Sequence, residues 1–190
     1  MTHPATWAKS RTGQLGEMDQ VSVRYATLRE ARSITGVMKE AAEHRRRIGA
    51  TTPDDTTPSP GFVSWLIARN ECIVASRNMQ IVGAMALQWR DELFWPDRND
   101  DAAGYLHWIA VCRAFAGGRV TIPLVAYAEQ EAIRLGKRFL RLDCAPAPKL
   151  MAVYERLGFE PVDVISVPTL GPDFRSARFE RRIGSRPITR

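Results

Sequence analysis

Cysteine is scarce in this sequence, and the three residues present form no pattern. Cys72, Cys112 and Cys144 are irregularly spaced, and each lies in an apolar run of strand length. An odd number without regular spacing argues against a disulfide framework and against a zinc site. We therefore expect no bound metal, and buried, reduced thiols in a cytoplasmic protein.

Long apolar segments are also missing. No run reaches the ~18 apolar residues that a membrane-spanning helix needs, so no membrane partner is predicted. The segment 1–20 lacks the apolar core of a signal peptide and is interpreted as a poorly ordered lead-in. The 190 residues suit one domain with a core of its own. We predict a single domain over 21–183, followed by a basic tail over 184–190.

The positive charge is concentrated near the C-terminus. The net charge is +6, and the stretch "DFRSARFERRIGSRPITR" (173–190) holds six arginines against two acids, or +4 of that total. This stretch alternates like an edge strand and then frays. A basic terminus of this kind is more often solvated than bound in a nucleic-acid groove, so nucleic acid is not favoured as a partner.

Hydrophobic periodicity predicts the element order β-α-α-β-β-β-α-β-α-β-β. The strand over 105–112 is apolar on both faces, which is typical of a central strand covered on both sides. Strict alternation would place Tyr105, His107, Ile109 and Val111 on one face, and Leu106, Trp108, Ala110 and Cys112 on the other.

A glycine turn and a helix separate this strand from the next, "RFLRLDC" (138–144). That order requires a right-handed crossover and a parallel pair of strands. The earlier runs 72–76 and 81–89 read as an antiparallel hairpin. The fold class is therefore α/β, with a mixed, mostly antiparallel sheet of six to seven strands, a central parallel β-α-β pair and helices on both faces.

The turn "CRAFAGGRV" (112–120) opens a helix with an apolar stripe at Val125, Ala128, Ala132 and Leu135. Free backbone amides at a helix start can hold a phosphate. No Gly-Lys-Ser/Thr follows, so the turn is not a Walker loop, and the G-x-G-x-x-G dinucleotide fingerprint is absent.

The wider run 105–160 resembles the GNAT superfamily of acyl-CoA-dependent N-acyltransferases. The resemblance rests on "IAV" ending a strand, the glycine turn into a helix ending at Gly136, then "LRLDC" and "VYERLGF". It implies an N-acetyltransferase with acetyl-CoA as co-substrate and a small-molecule amine as acceptor, attacked directly in a ternary complex. Dimers are common in the family, which leaves a homodimer open.

The resemblance also implies which residues hold coenzyme A. The backbone of the strand end would pair with the pantetheine arm, and the turn would bind the pyrophosphate. The residues concerned are Ile109, Ala110, Val111, Arg113, Ala116, Gly117, Gly118, Arg119, Val120 and Thr121, together with Tyr154.

This sequence departs from the family pattern at the turn. Ala116 replaces a basic residue, and Arg119 and Thr121 replace two small ones. Small residues let phosphates approach the backbone, so these changes could weaken binding unless Arg119 pairs with the pyrophosphate. Thr121 is expected to be the N-cap of the helix. Ala147 stands where many members carry an asparagine that contacts the cofactor arm.

Two residues are candidates for proton transfer. Tyr154 matches the family tyrosine that donates a proton to the coenzyme A sulfur; the alternative is a core tyrosine on an apolar helix stripe. His107 matches one of two histidines in a similar strand of arylalkylamine N-acetyltransferases, and is expected to act as the base from the same strand face as Val111. The alternative is a buried histidine satisfied by a neighbour.

The acceptor site is predicted from the acidic and aromatic loop that precedes the central strand. Trp89, Asp91, Glu92 and Trp95 would favour a cationic amine with an apolar body, and the two acids are also fallback bases acting through water. An ordinary solvated loop is the alternative. Two other functions stay open: an acyl-CoA-binding sensor or scaffold without turnover, and acetylation of a protein amine.

Overall fold

The computed structural model describes residues 20–49, 58–117 and 119–184. The predicted lead-in up to residue 19, the loop residues 50–57, Gly118 and the tail from 185 lie outside the described residues. Within the described part, no helix is long and apolar enough to cross a membrane. The strands are β1 (Ser22–Tyr25), β2 (Cys72–Arg77), β3 (Gln80–Gln88), β4 (Ala103–Val111), β5 (Phe139–Cys144), β6 (Glu160–Ser166) and β7 (Arg175–Arg182). The α-helices are α1 (Ala31–Arg47), α2 (Pro60–Ala68), α3 (Thr121–Arg134) and α4 (Pro148–Arg156).

The seven strands form one mixed sheet in the order β1-β2-β3-β4-β5-β7-β6. Only β4 and β5 run parallel; every other neighbouring pair is antiparallel. The predicted fold class is confirmed, including the crossover through α3. The prediction that the last strand is an edge is wrong, because β7 lies between β5 and β6, and β6 takes the edge.

Helices cover both faces of the sheet. On one face, α3 packs its apolar stripe on β2 to β5, in a core that α4 extends. On the other face, α1 and α2 pack on β2 to β4. Leu135, predicted to lie in the α3 stripe, is 43% exposed, because the helix ends at Arg134. Leu124, four residues before Ala128 on the same helical face, is fully buried.

Strand β4 contains a bulge in its middle. Ala84 of β3 pairs with Ala110, but Ala86 pairs with His107, so two residues, Trp108 and Ile109, oppose one on β3. Trp108 has a φ of +49°, in the left-handed region. A bulge shifts the side-chain alternation of the strand that contains it.

The bulge overturns the predicted grouping of side chains on β4. Ile109 and Val111 pack in the core beneath α3, whereas Trp108 packs against the α1 and α2 core. His107 lies against the ring of Trp108, with ring centroids 5.5 Å apart. The expectation that His107 and Val111 share a face is therefore wrong, because the extra residue moves His107 to the side that α1 and α2 cover.

The sequence indicated that the arginines of β7 are solvated, but two of them are buried. Arg178 and Arg181 are 4% and 5% exposed. Arg178 bonds to Asp97 and Asp163 on one side of the sheet, and Arg181 bonds to Glu129 of α3 on the other. The charges of these two arginines are thus paired inside the fold.

Gly83 lets α3 approach β3 closely. A Cβ at Gly83 would lie 2.6 Å from Cγ1 of Val120, which is 1% exposed and cannot move aside freely. We predict that Gly83→Ala lowers the free energy of unfolding by about 1–3 kcal/mol, the usual cost of overpacking. Urea denaturation measures it.

Gly36→Ala is the matched control. A Cβ at Gly36 would meet nothing within 4 Å. The residue is exposed to solvent and lies in the middle of α1, away from its ends. Alanine there should raise stability by about 0.5–1 kcal/mol. Equal effects of the two substitutions would contradict the close approach of α3 to β3.

Candidate active site

The pairing of β4 with β5 stops before either strand ends. Residues Ala103–Leu106 pair with Phe139–Leu142, yet β4 continues to Val111 and β5 to Cys144. Beyond Leu106 the edge of β4 that faces β5 has no strand partner among the described residues. Backbone amide and carbonyl groups on such an open edge can pair with an extended ligand laid along it.

The turn after β4 is fixed at both ends. A 3-10 turn covers Arg113–Phe115, and Oε1 of Glu40 in α1 accepts a hydrogen bond of 2.9 Å from the Arg113 amide. At the other end Val120 is buried against Gly83. Between them Gly117 has a φ of +107°, a conformation that favours glycine.

The helix start differs in one detail from the sequence-based expectation. Helix α3 begins at Thr121, so Val120 is the N-cap and no side chain caps the helix. The prediction that Thr121 is the N-cap is wrong by one position. The first amides of α3 are therefore left without a side-chain partner, which suits an anion at this end.

The described turn residues are open to solvent. Arg113, Ala116, Gly117 and Arg119 are exposed, and a Cβ at Gly117 would meet nothing within 4 Å. Gly118 lies outside the described residues. An accessible turn with two arginines at a helix N-terminus fits the size and charge of a pyrophosphate.

His107, Asp91 and Asp143 meet at the level where β4 and β5 stop pairing. Nε2 of His107 is 3.6 Å from Oδ2 of Asp91, and its Nδ1 is 3.9 Å from Oδ1 of Asp143. The three side chains come from β4, from the loop after β3, and from β5. Each is at most 13% exposed. Carboxylates at both ring nitrogens can hold an imidazole and stabilise its protonated form.

Asp91 is held by backbone amides. Its Oδ1 accepts hydrogen bonds from the amides of Leu93 at 3.1 Å and Phe94 at 2.9 Å. Its Oδ2 is buried and has no hydrogen-bond partner in the described chain. On the other side of the imidazole, the buried Ser176 hydroxyl donates to Oδ2 of Asp143 at 2.8 Å. The free oxygen of Asp91 is thus the one that faces His107.

Burial lowers the pKa of His107, although the charges of Asp91 and Glu71 oppose the shift. The imidazole is therefore neutral at neutral pH and can accept a proton. The same three residues present ligand atoms within 4.8 Å of one another, which is the spacing of a small metal site. The two carboxylates face opposite ring nitrogens, an arrangement that also suits proton transfer to and from the imidazole.

Tyr154 lies in α4, with its ring 5.9 Å from that of Phe179. Burial raises the pKa of its phenol well above the ordinary value, and neighbouring Cys144 and Asp143 raise it further. Both of these residues belong to the end of β5. Burial also raises the pKa of Cys144 to about 12, so its thiol is not ionised at neutral pH and is no ready nucleophile.

The predicted acceptor residues do not all reach this site. Asp91 does, and Glu92 is exposed on the adjoining surface. Trp95 is fully buried, so it offers no surface to a substrate. Trp89 packs against Gly104, near the other end of β4 from the glycine turn. The prediction of an aromatic acceptor wall from this loop is therefore not supported for the two tryptophans.

A different aromatic wall adjoins His107. The ring of Trp108 lies 5.0 Å from that of Phe62 in α2, which in turn lies 5.7 Å from Trp65. Trp65 is 48% exposed. Phe62 and Trp65 are three residues apart, the spacing of one helix face, so the sequence held this signal. Asp143 is an acid within a largely apolar strand, and this was a second sequence signal for a residue of the site.

The seven-stranded sheet, its single parallel pair and the turn into α3 define an acyltransferase fold. The chain matches the Acetyltransferase (GNAT) family over residues 36–159. It is 27% identical over 143 residues to the uncharacterized N-acetyltransferase YesJ of Bacillus subtilis (strain 168), covering 71% of this chain and 79% of that protein.

Solved structures share the fold. A GNAT-family acetyltransferase from Listeria monocytogenes 4b F2365 superposes with a TM-score of 0.70 at 24% identity, over 85% of this chain and 94% of that one. The structure of yncA from Salmonella typhimurium with its cofactor acetyl-CoA superposes with a TM-score of 0.63 at 18% identity, over 88% and 96%.

The chain therefore belongs to the GNAT acetyltransferase family. It is an acetyl-CoA-dependent N-acetyltransferase, and enzymes of this family act on amine acceptors. The family assignment and the enzyme class predicted from the sequence are both confirmed.

The lowered pKa of His107 predicts how stability depends on pH. Below about pH 6.5 the unfolded chain binds a proton at this residue more readily than the folded protein does. The neutral His107 therefore contributes to the free energy of unfolding above that pH, and this contribution is lost as the pH falls. His107→Gln should therefore lose less stability than the wild type on acidification, measured by urea denaturation on either side of pH ~6.5. Equal losses would show that the pKa of His107 is not lowered in the folded state.

Proposed function

We propose that this protein transfers an acetyl group from acetyl-CoA to the primary amine of a small molecule, by direct attack in a ternary complex. The observation that carries the proposal is the position of the His107 cluster. A neutral imidazole flanked by two carboxylates lies where the unpaired edge of β4 begins. In this arrangement a base and a bound thioester would be neighbours.

The residues present fit coenzyme A. The backbone edge of Ile109, Ala110 and Val111 that faces β5 would hold the extended pantetheine arm. The backbone from Ala116 to Thr121, together with Arg113 and Arg119, would hold the pyrophosphate. Arg119 supplies a charge at a position where the family pattern has a small residue, and it offsets the missing basic side chain at Ala116.

His107 acts as the general base in this proposal. The bound ammonium first loses a proton to solvent, because only the neutral amine can attack. Its nitrogen then forms a bond to the thioester carbonyl carbon and gives a second proton to the imidazole. The charge of Asp91, 3.6 Å from Nε2, stabilises the imidazolium that forms. Backbone amides at the end of β4 stabilise the oxyanion.

Tyr154 acts as the general acid. The carbon–sulfur bond of the thioester breaks, and the phenol gives its proton to the departing thiolate. Because burial raises the pKa of Tyr154, the phenol keeps its proton at neutral pH, where the imidazole is neutral. No hydrogen bond from this hydroxyl to another described residue competes for it.

The acceptor is a cation with an apolar body. Asp91 and Asp143 attract an ammonium group to His107, and the rings of Trp108, Phe62 and Trp65 extend from the imidazole as an apolar wall. The same carboxylates repel a substrate carboxylate near the amine. The three free thiols suit a reducing compartment such as the cytoplasm.

A protein amine is the alternative acceptor to the amine of a small molecule. Acetyl-CoA-dependent release of free thiol, measured with a panel of amines, separates the two. We expect turnover to be fastest with phenethylamine, slower with putrescine and glutamate, and slowest with a lysine-containing peptide. A peptide that reacts fastest would point instead to a protein amine.

The acid is tested with the best acceptor of that panel. Tyr154→Phe should lower kcat by about 100-fold or more, because the thiolate would leave unprotonated. Tyr127→Phe is the control, since Tyr127 in α3 packs against Tyr25 at the far edge of the sheet. A kcat unchanged in Tyr154→Phe would remove this residue from the mechanism.

A further inference from the structure

The loop that carries Asp91 is clamped by an arginine of β7. Nη1 of Arg178 donates to the carbonyl oxygen of Phe94 at 3.1 Å and to Oδ1 of Asp97 at 2.5 Å. The guanidinium carbon lies 4.7 Å from the ring centroid of Trp95. On its other side the guanidinium forms two hydrogen bonds, of 2.7 and 2.6 Å, with Asp163 of β6. The loop is thereby tied to two strands of the sheet.

The peptide groups of Phe94 connect this clamp to the active site. The amide of Phe94 donates to Oδ1 of Asp91, while its carbonyl accepts from Arg178. With Oδ1 engaged by two amides, Oδ2 is directed at Nε2 of His107. A displacement of Phe94 would therefore rotate the carboxylate away from the imidazole.

Oδ2 of Asp91 is buried and makes no hydrogen bond of its own within the described chain. Its direction therefore depends on how Oδ1 and the backbone of Asp91 are held. The carboxylate partners of Arg178 are half-exposed, Asp163 at 42% and Asp97 at 53%, and ion pairs with exposed partners add little stability. Fixing the geometry of the loop is therefore a better account of the clamp than stability alone.

We propose that Arg178 is a positioning residue, which acts through the Phe94 peptide to hold Asp91 against His107. The inference rests on the proposed role of His107 as the base. It extends the site from the residues around the substrate to a strand on the far side of β5.

The chain supplies a matched control in Arg181. Both arginines lie on β7 and are almost equally buried. Arg181 bonds to Glu129 and to the carbonyl of Leu157, and no bond from it to the Asp91 loop is formed in the described structure. Arg178→Lys and Arg181→Lys should both lower stability, but only Arg178→Lys should loosen Asp91.

The test measures the electrostatic coupling between Asp91 and His107 in three backgrounds. The pKa of His107 is followed by NMR titration of its ring protons, assigned with His107→Gln. Three carboxylates act on this imidazole, Asp91, Asp143 and the more distant Glu71. The change in pKa caused by Asp91→Asn isolates the contribution of Asp91 and is compared in the wild type, Arg178→Lys and Arg181→Lys.

We expect Asp91→Asn to lower the pKa of His107 in the wild type, because it removes a negative charge. In Arg178→Lys this change should be less than half as large, and in Arg181→Lys it should be retained. An undiminished change in Arg178→Lys overturns the proposal. The proposal is also overturned if Arg181→Lys reduces this pKa change as much as Arg178→Lys does, or if Asp91→Asn does not change the pKa of His107 in the wild type.

The outcome is independent of catalysis, because the titration needs no substrate. If His107→Gln leaves kcat unchanged, the proposed base is wrong, yet the titration still decides whether Arg178 positions Asp91. If Arg178→Lys leaves the effect of Asp91→Asn on the pKa of His107 undiminished while His107→Gln abolishes turnover, only the positioning role of Arg178 is overturned. A shift in the pH profile of kcat that matches the change in the pKa of His107, seen in Arg178→Lys and not in Arg181→Lys, would link the positioning role of Arg178 to the catalytic role of His107.

Discussion

The early end of the pairing between β4 and β5 is the constraint on which the rest of the site depends. The strands share only four residue pairs, and a bulge at Trp108 follows at once. The first feature leaves the β5-facing edge of β4 open, and the second turns His107 toward α1 and α2. Without the bulge, alternation from Val111 would have placed the histidine under α3.

The two faces of the sheet have different roles around this opening. Under α3, Val120 against Gly83 seats the turn, and Glu40 of α1 fixes its first amide. On the opposite face, carboxylates and aromatic rings surround the imidazole. The turn carries Arg113 and Arg119, and Asp91 and Asp143 flank the imidazole, a distribution that would suit the proposed anionic donor and cationic acceptor. The buried Arg178 of β7 ties the loop that carries Asp91 to β6 and β7.

The sequence predicted the element order, the parallel pair and the turn, because each depends on local periodicity and on glycine. It did not predict the bulge, because a tryptophan at positive φ has no local signal. The burial of Arg178 was also hidden, since its partners Asp97 and Asp163 are distant in sequence. The same holds for Asp143, which reaches His107 only through the β4–β5 pairing. Trp95 was assigned to the acceptor site because aromatic character alone does not distinguish a core ring from a binding wall.

The central claim is that the open edge of β4 and the substituted turn still hold an acyl-CoA. Urea denaturation with acetyl-CoA, coenzyme A and ATP compared side by side tests it most directly. At a ligand concentration about 100-fold above the dissociation constant, both coenzymes should raise the free energy of unfolding by about 2.7 kcal/mol, and ATP should not. An unchanged free energy with both coenzymes would contradict the account, because it would mean that Arg119 and Thr121 close the turn to the pyrophosphate.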